Sequence, residues 1–243
     1  VDTITRDEEG PLPELLSRIG QEKPALLYLC PYAHNPMGTN LSKARYNELV
    51  DWAKKSGSII LTDEIFKDIC FSKNKAPSLA LELGLDQTVI FGSLSKAVMS
   101  GLRVGWLISS KKRIQQVTEL KRLMDHSCPS LSQGIAHTLF SSGRYDEHTA
   151  FIQKLYKKRM NVLLHALEVN MPQGVRWTKP DGGFSMLLEL PPGYSSVVLF
   201  LAAVDKGVSF LPGPLFDIDQ RFVQHCRLSC AWADEGQIKE GIE

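Results

Sequence analysis

The sequence has no long apolar run, almost no charge imbalance and few cysteines. Apolar runs such as Val197–Val204 are far shorter than the roughly 20 residues that a membrane-spanning helix needs. The 28 Lys and Arg residues balance 27 Asp and Glu residues, so the net charge of +1 gives no reason to expect nucleic-acid binding. The five cysteines form no CxxC pair, which indicates reduced thiols and a cytoplasmic protein. The histidines and cysteines also lack metal-ligand spacing, so we expect no metal site.

The first half of the chain alternates short apolar runs with helical patterns. The runs predict strands at Ala25–Cys30, Ser58–Thr62, Thr88–Phe91 and Val104–Ile108, and the spacing of apolar residues predicts a helix over Leu41–Ser56. Continuous apolar strands separated by helices are typical of α/β proteins. We therefore expect a mainly parallel sheet with helices on both faces.

The second half is different in pattern. Three helical stretches come first: Lys111–Met124, Leu131–Ser141 and Asp146–Val169. Short apolar segments typical of strands follow, with one further helix, Ser196–Lys206, among them. This order predicts an α+β arrangement. We predict a large domain over residues 1–150 and a smaller one over residues 151–243, joined by the long third helix.

Four short motifs follow or precede the predicted strands in a fixed order. They are Asn35-Pro36-Met37-Gly38, Thr62-Asp63-Glu64, Ser93-Leu94-Ser95-Lys96 and Gly101-Leu102-Arg103. Each alone also fits an ordinary role: a turn, a helix cap, a solvated lysine or a surface arginine. Ligands of open α/β sheets bind at the carboxyl ends of strands, and three of the motifs stand there. The conjunction therefore predicts a site with a carboxylate, a reactive amine and an anion-binding arginine.

In these motifs the chain resembles the pyridoxal-phosphate-dependent aminotransferases of classes I and II, which have the type I fold. Arg227-Leu228-Ser229, Pro180-Asp181-Gly182-Gly183-Phe184 and Leu211-Pro212-Gly213 extend the resemblance. It covers nearly the whole chain, and the pattern most resembles the subgroup that includes 2-aminoadipate aminotransferases. It implies the transfer of an amino group from an L-amino acid to a 2-oxo acid, with glutamate and 2-oxoglutarate as the co-substrate pair, in a homodimer.

The resemblance also implies roles for individual residues. Lys96 would form the Schiff base with pyridoxal phosphate and then move the proton of the substrate α-carbon. Asp63 would keep the pyridine nitrogen protonated, and Asn35 would bond the phenolic oxygen of the cofactor beside the substrate. The phosphate would lie against Ser93, Ser95 and Arg103, and the α-carboxylate of the substrate would pair with Arg227.

Two alternatives within the same fold stay open. Lyases of this fold use the same aspartate and lysine. Some transcription regulators join a winged-helix DNA-binding domain to an aminotransferase-like domain that senses a metabolite. The 243 residues contain no basic patch, so contact with nucleic acid would need a DNA-binding domain upstream.

The length raises a further expectation. In the family the N-terminal arm, a first segment of the small domain and a glycine-containing phosphate loop precede the asparagine motif, whereas here 34 residues precede Asn35. At the other end, Ile238–Glu243 stops within what resembles the last helix. We expect the chain to be a C-terminal fragment that by itself binds the cofactor weakly or not at all and is inactive.

One departure from the family generates a prediction. The family often has a tyrosine three residues after the aspartate, and this chain has Phe66 there. A hydrogen bond to a charged group contributes about 1.5–3 kcal/mol, so the missing phenol should alter the pKa of the Schiff base at Lys96. In a spectral pH titration of the cofactor-loaded protein, Phe66→Tyr is expected to change the pH midpoint. An identical midpoint in both proteins would contradict this hypothesis.

Overall fold

Two four-stranded sheets organise the computed structural model, which describes residues 3–16, 19, 25–72, 75–125 and 127–243. The first sheet has the order β1-β2-β3-β4, and its strands are Leu26–Leu29 (β1), Ile59–Asp63 (β2), Thr88–Ser93 (β3) and Gly105–Ile108 (β4). The first three strands are parallel, and β4 runs antiparallel to β3. The predicted mainly parallel sheet of an α/β fold is confirmed, with strand bounds within two residues of those expected.

Three helices pack on one face of this sheet: Pro13–Leu16 (α1), Lys43–Ser56 (α2) and Ala80–Leu83 (α3). The α2 helix forms because Ser42 caps its first turn and Gly57, at φ +67°, ends it in the left-handed conformation. Its buried residues repeat with helical spacing and face Leu29 and Ile60 of the sheet; they are Tyr46, Leu49, Val50 and Ala53. The opposite face is more open, because Leu26 and Tyr28 of β1 are exposed there.

Three longer helices follow: Lys111–Asp125 (α4), Ser130–Ser141 (α5) and Arg144–Asn170 (α6). The first turns of α6 bury Tyr145 and Ile152 against the loops that follow β2 and β3. Its later turns bury Met160 and Leu167 against the second sheet. This helix therefore contacts both the first sheet's loops and the second sheet, and the division into two domains after residue 150 stays a prediction. Among the described residues, no helix is both long and apolar enough to cross a membrane.

The second sheet is antiparallel throughout, with the order β5-β6-β8-β7. Its strands are Arg176–Trp177 (β5), Ser185–Glu189 (β6), Leu211–Pro212 (β7) and His225–Ser229 (β8), and the helices Ser196–Val204 (α7) and Glu235–Glu240 (α8) complete this part. β7 is short, and both of its residues pair with β8.

The loop before β6 joins the second sheet to the first. The amide of Phe71 donates to the carbonyl of Asp181 over 2.7 Å, and the amide of Gly183 donates to the carbonyl of Ile69 over 2.9 Å. A Cβ on Gly182 would lie 2.6 Å from the Cα of Cys70. Because the close atom belongs to the backbone, glycine is needed at this crossing.

Gly182→Ala is therefore expected to destabilise the protein, by roughly 2 kcal/mol or more, since one of the two backbones must move. The urea midpoint measures this loss. Gly134→Ala is the matched control, because Gly134 lies within α5 and a Cβ added there would meet no atom within 4 Å. That control should stabilise by about 0.5–1 kcal/mol through helix propensity. Equal midpoints for Gly182→Ala and the native protein would contradict the packing argument.

Candidate functional site

The carboxyl ends of three parallel strands bring the predicted site residues to one edge of the first sheet. Asn35 follows β1, Asp63 ends β2 and Ser93 ends β3. Lys96 lies three residues beyond Ser93. Since β4 is antiparallel and Gly105 pairs with Ser93, Arg103 enters the sheet at this same edge.

The turn that carries Asn35 is held from the second sheet. The Asn35–Pro36 peptide bond is cis, and Gly38 adopts φ +74°. The hydroxyl of Thr178 donates to the carbonyl of Met37 over 2.7 Å, and the amide of Asp181 donates to the carbonyl of Gly38 over 2.9 Å. Thr178 lies 141 positions after Met37, and Asp181 lies 143 positions after Gly38. In the sequence, only the resemblance to the family around Asp181 indicated that this segment belongs near the site.

Arg227 reaches the same turn from β8. Its Nη1 donates to Oδ1 of Asn35 over 2.9 Å, and its guanidinium lies 5.5 Å from the centre of the Phe216 ring. Burial lowers the pKa of Arg227. Its Nε is buried and has no hydrogen-bond partner within the described ranges. A guanidinium with a buried, unused N–H beside an exposed amide suits a carboxylate ligand, which accepts from two nitrogens at once.

Asp63 is oriented by two donors. Its Oδ1 accepts from the amide of Ile65 over 3.1 Å, and its Oδ2 accepts from the hydroxyl of Tyr28 over 2.5 Å. Asp63 was predicted from its motif, whereas Tyr28 belongs to none of the motifs. No local pattern indicates this contact, because it depends on the strand register that pairs Tyr28 with Leu61 and thus puts Tyr28 on the same face as Asp63.

The loop between β3 and β4 gathers hydroxyl, amine and guanidinium groups. The hydroxyls of Ser93 and Ser95 lie 3.0 Å apart, and the amide of Ser95 donates to Oγ of Ser93. Arg103 stands in the left-handed conformation at φ +55°, and its Nη1 donates to the carbonyl of Ser100 over 3.3 Å. This set of donors fits a phosphate.

Lys96 is exposed, and no hydrogen bond or ion pair to it occurs in the part of the chain that the structure describes. The described residues therefore leave its amine open to solvent.

The residue after Lys96 is held by a hydrogen bond from α6, since Nε2 of His148 lies 2.9 Å from the carbonyl oxygen of Ala97. Sequence reasoning gave no role to His148.

The residues around Asn35 and Asp63 are packed rather than free. Tyr32 is buried and donates its hydroxyl to the carbonyl of Ala76 over 3.0 Å. Phe66 is buried with its ring edge-on to Phe184 at 5.7 Å between centres. The phenyl ring therefore belongs to the apolar core beneath the site.

The chain matches a known protein family over nearly its whole length. The family model described as aminotransferase class I and II matches residues 12–243. The chain belongs to this family. Its fold is the one seen in solved aminotransferases: it superposes on α-aminoadipate aminotransferase of Thermus thermophilus, complexed with N-(5'-phosphopyridoxyl)-L-leucine, with a TM-score of 0.94 and 30% identity, covering 99% of this chain and 63% of that one.

Two kinds of family member are similar in sequence. One is 2-aminoadipate transaminase of Thermus thermophilus, 32% identical over 99% of this chain and 61% of that protein. The other is an HTH-type transcriptional regulator of Bacillus subtilis, 31% identical over 98% of this chain and 49% of that protein. The present chain thus spans about three fifths of the length of the transaminase and about half of the length of the regulator.

The half-buried His34, next to Asn35, predicts acid sensitivity, because its Nδ1 is buried without a hydrogen-bond partner among the described residues. Burial lowers the pKa of His34 to about 3, from an ordinary value near 6.5. Between these values the unfolded chain binds the proton and the folded chain does not, so this residue makes stability fall as the pH drops from 6.5 toward 3. Urea midpoints measured from pH 7 to pH 4 should fall less for His34→Gln than for the native protein.

The matched control is His137→Gln, whose imidazole is exposed on α5. It should leave the native pH dependence unchanged. An identical slope for the His34 variant and the native protein would refute the assignment.

Proposed function

We propose that this chain carries most of the active site of a pyridoxal-phosphate-dependent aminotransferase. One observation carries the proposal: the guanidinium of Arg227, coming from the second sheet, meets Asn35 at the edge of the first sheet that also presents Asp63 and Lys96. This arrangement would bring a group that binds carboxylates and an amine nucleophile to the same edge of the sheet. The similarity to transaminases supports this proposal.

The residues at the edge fit pyridoxal phosphate. The buried, unpartnered Nε of Arg227 and the paired hydroxyls of Ser93 and Ser95 are donors suited to anions at two ends of a ligand. Ser93, Ser95 and Arg103 would hold the phosphate, and Asp63 would pair with the ring nitrogen. When bound, the cofactor supplies an aldehyde that captures amines and a ring that withdraws electrons from the substrate α-carbon.

The chain's own residues then have distinct tasks. Asp63 would hold a proton on the ring nitrogen, because a fixed carboxylate favours the charged form of the ring. Asn35 would orient the ring through its phenolic oxygen, and Arg227 would bind the α-carboxylate of the substrate. The Lys96 amine would be the group that holds the aldehyde of the cofactor and, when free, the base that moves the proton of the substrate α-carbon.

The substrates proposed are an L-amino acid and a 2-oxo acid, with 2-oxoglutarate as the acceptor. The relatives named for 2-aminoadipate support an acidic substrate class. We also propose a homodimer, since α4 buries none of its residues in the described part of the chain and exposes Leu120, Leu123 and Met124 on one side.

The lysine assignment predicts a covalent result. In the complete gene product loaded with pyridoxal phosphate, borohydride reduction should fix the cofactor to the peptide that contains Lys96, as seen by mass spectrometry. Lys96→Ala should lose this adduct and at least about 100-fold of amino transfer, the range for a general base. Lys111→Ala, in an exposed lysine of α4, is the control that keeps both. An adduct on another lysine of the native protein would contradict the proposal.

A second function is favoured by the regulator relatives. Because the chain matches an HTH-type regulator over 98% of its length, the same site could serve a domain that binds an amino acid and controls an attached DNA-binding domain. Steady-state turnover of amino donors with 2-oxoglutarate separates the two functions. Sustained turnover supports the enzyme, whereas cofactor binding with ligand-dependent DNA affinity and no turnover supports the regulator.

A further inference from the structure

Tyr28 contacts the site although no motif includes it. It stands in the middle of β1, one strand away from Asp63, and its register partner on β2 is Leu61. Side chains two residues apart on a strand point to the same face, so Tyr28 and Asp63 share one face. The phenolic hydroxyl of Tyr28 donates a hydrogen bond to Oδ2 of Asp63 over 2.5 Å.

The contact is not a by-product of core packing. Tyr28 is 62% exposed, so its ring gains little from burial where it lies. The one described acceptor of its hydroxyl is the carboxylate of Asp63. Desolvation of the hydroxyl raises the pKa of Tyr28, and the hydrogen bond and negative charge of Asp63 raise it further. The phenol thus stays protonated and remains a donor at neutral pH.

We infer that Tyr28 is a positioning residue that holds the Asp63 carboxylate in place for the ring nitrogen of the cofactor. The inference rests on the proposed function. With Oδ1 accepting from the amide of Ile65 and Oδ2 from Tyr28, both oxygens of the carboxylate are oriented before any ligand binds. Each oxygen keeps a second lone pair, so the carboxylate can still accept from a protonated ring nitrogen.

Preorganisation of this kind predicts a ligand-selective effect. Orienting the carboxylate in advance reduces the cost of binding a group that pairs with it. The gain applies only to a ligand with a ring nitrogen. A carbocyclic analogue of pyridoxal phosphate, in which C–H replaces that nitrogen, keeps the phosphate and aldehyde contacts but has nothing to offer Asp63.

The test compares the two ligands in the complete gene product. Dissociation constants for pyridoxal phosphate and for its carbocyclic analogue are measured by absorbance in the native protein and in Tyr28→Phe. We expect the variant to bind pyridoxal phosphate about tenfold more weakly and the analogue equally well. Tyr194→Phe removes an exposed phenol elsewhere and should change neither constant.

A second arm identifies the path of the effect. In an Asp63→Asn background, Tyr28→Phe should leave the ratio of the two constants unchanged, because the partner carboxylate is gone. Without any cofactor, Asp63→Asn should also lower the pH at which the phenol of Tyr28 titrates by NMR, since the negative charge beside it is removed.

The outcomes separate the inference from the proposed function. An equal loss of affinity for both ligands assigns Tyr28 to the fold and overturns the inference, as does an unchanged or tighter affinity for pyridoxal phosphate. A native complete gene product that binds no pyridoxal phosphate overturns the proposed function and the inference with it. Selective loss that disappears in the Asp63→Asn background supports both.

Discussion

Three hydrogen bonds between distant parts of the chain position the turn that carries Asn35. Thr178 and Asp181 fix the carbonyls of Met37 and Gly38, and Arg227 fixes the Asn35 amide itself. Without them the turn would be an ordinary surface loop with one end on β1. Arg227 and Asn35 are therefore positioned together, and a shift of either sheet would displace both.

The first sheet has a separate task. Its parallel strands end side by side, with Asp63 at the end of β2 and Lys96 three residues beyond the end of β3. The intervening loop then adds donors for an anion at Ser93, Ser95 and Arg103. Catalytic groups on strand ends and short loops are held more rigidly than groups on long loops, which suits proton transfer over a fixed distance.

Sequence reasoning found the parts of this arrangement that are local. The sequence allowed the prediction of Asn35, Asp63 and Lys96, because each stands at or after the end of an apolar strand and strand ends converge in an α/β sheet. The partner of Asp63 could not be predicted from the sequence. Tyr28 lies 35 residues away along the chain, and its contact with Asp63 depends on the register between β1 and β2. The bond from Thr178 depends on the docking of the second sheet, which no local pattern encodes.

A crystal structure of the complete gene product grown with pyridoxal phosphate and glutamate examines the whole arrangement at once. We expect the ring nitrogen at hydrogen-bond distance from Asp63, the phosphate against Ser93, Ser95 and Arg103, and the α-carboxylate on Arg227. The reactive carbon should face the Nζ atom of Lys96. A cofactor bound away from this edge, or with its ring nitrogen turned away from Asp63, would contradict the account.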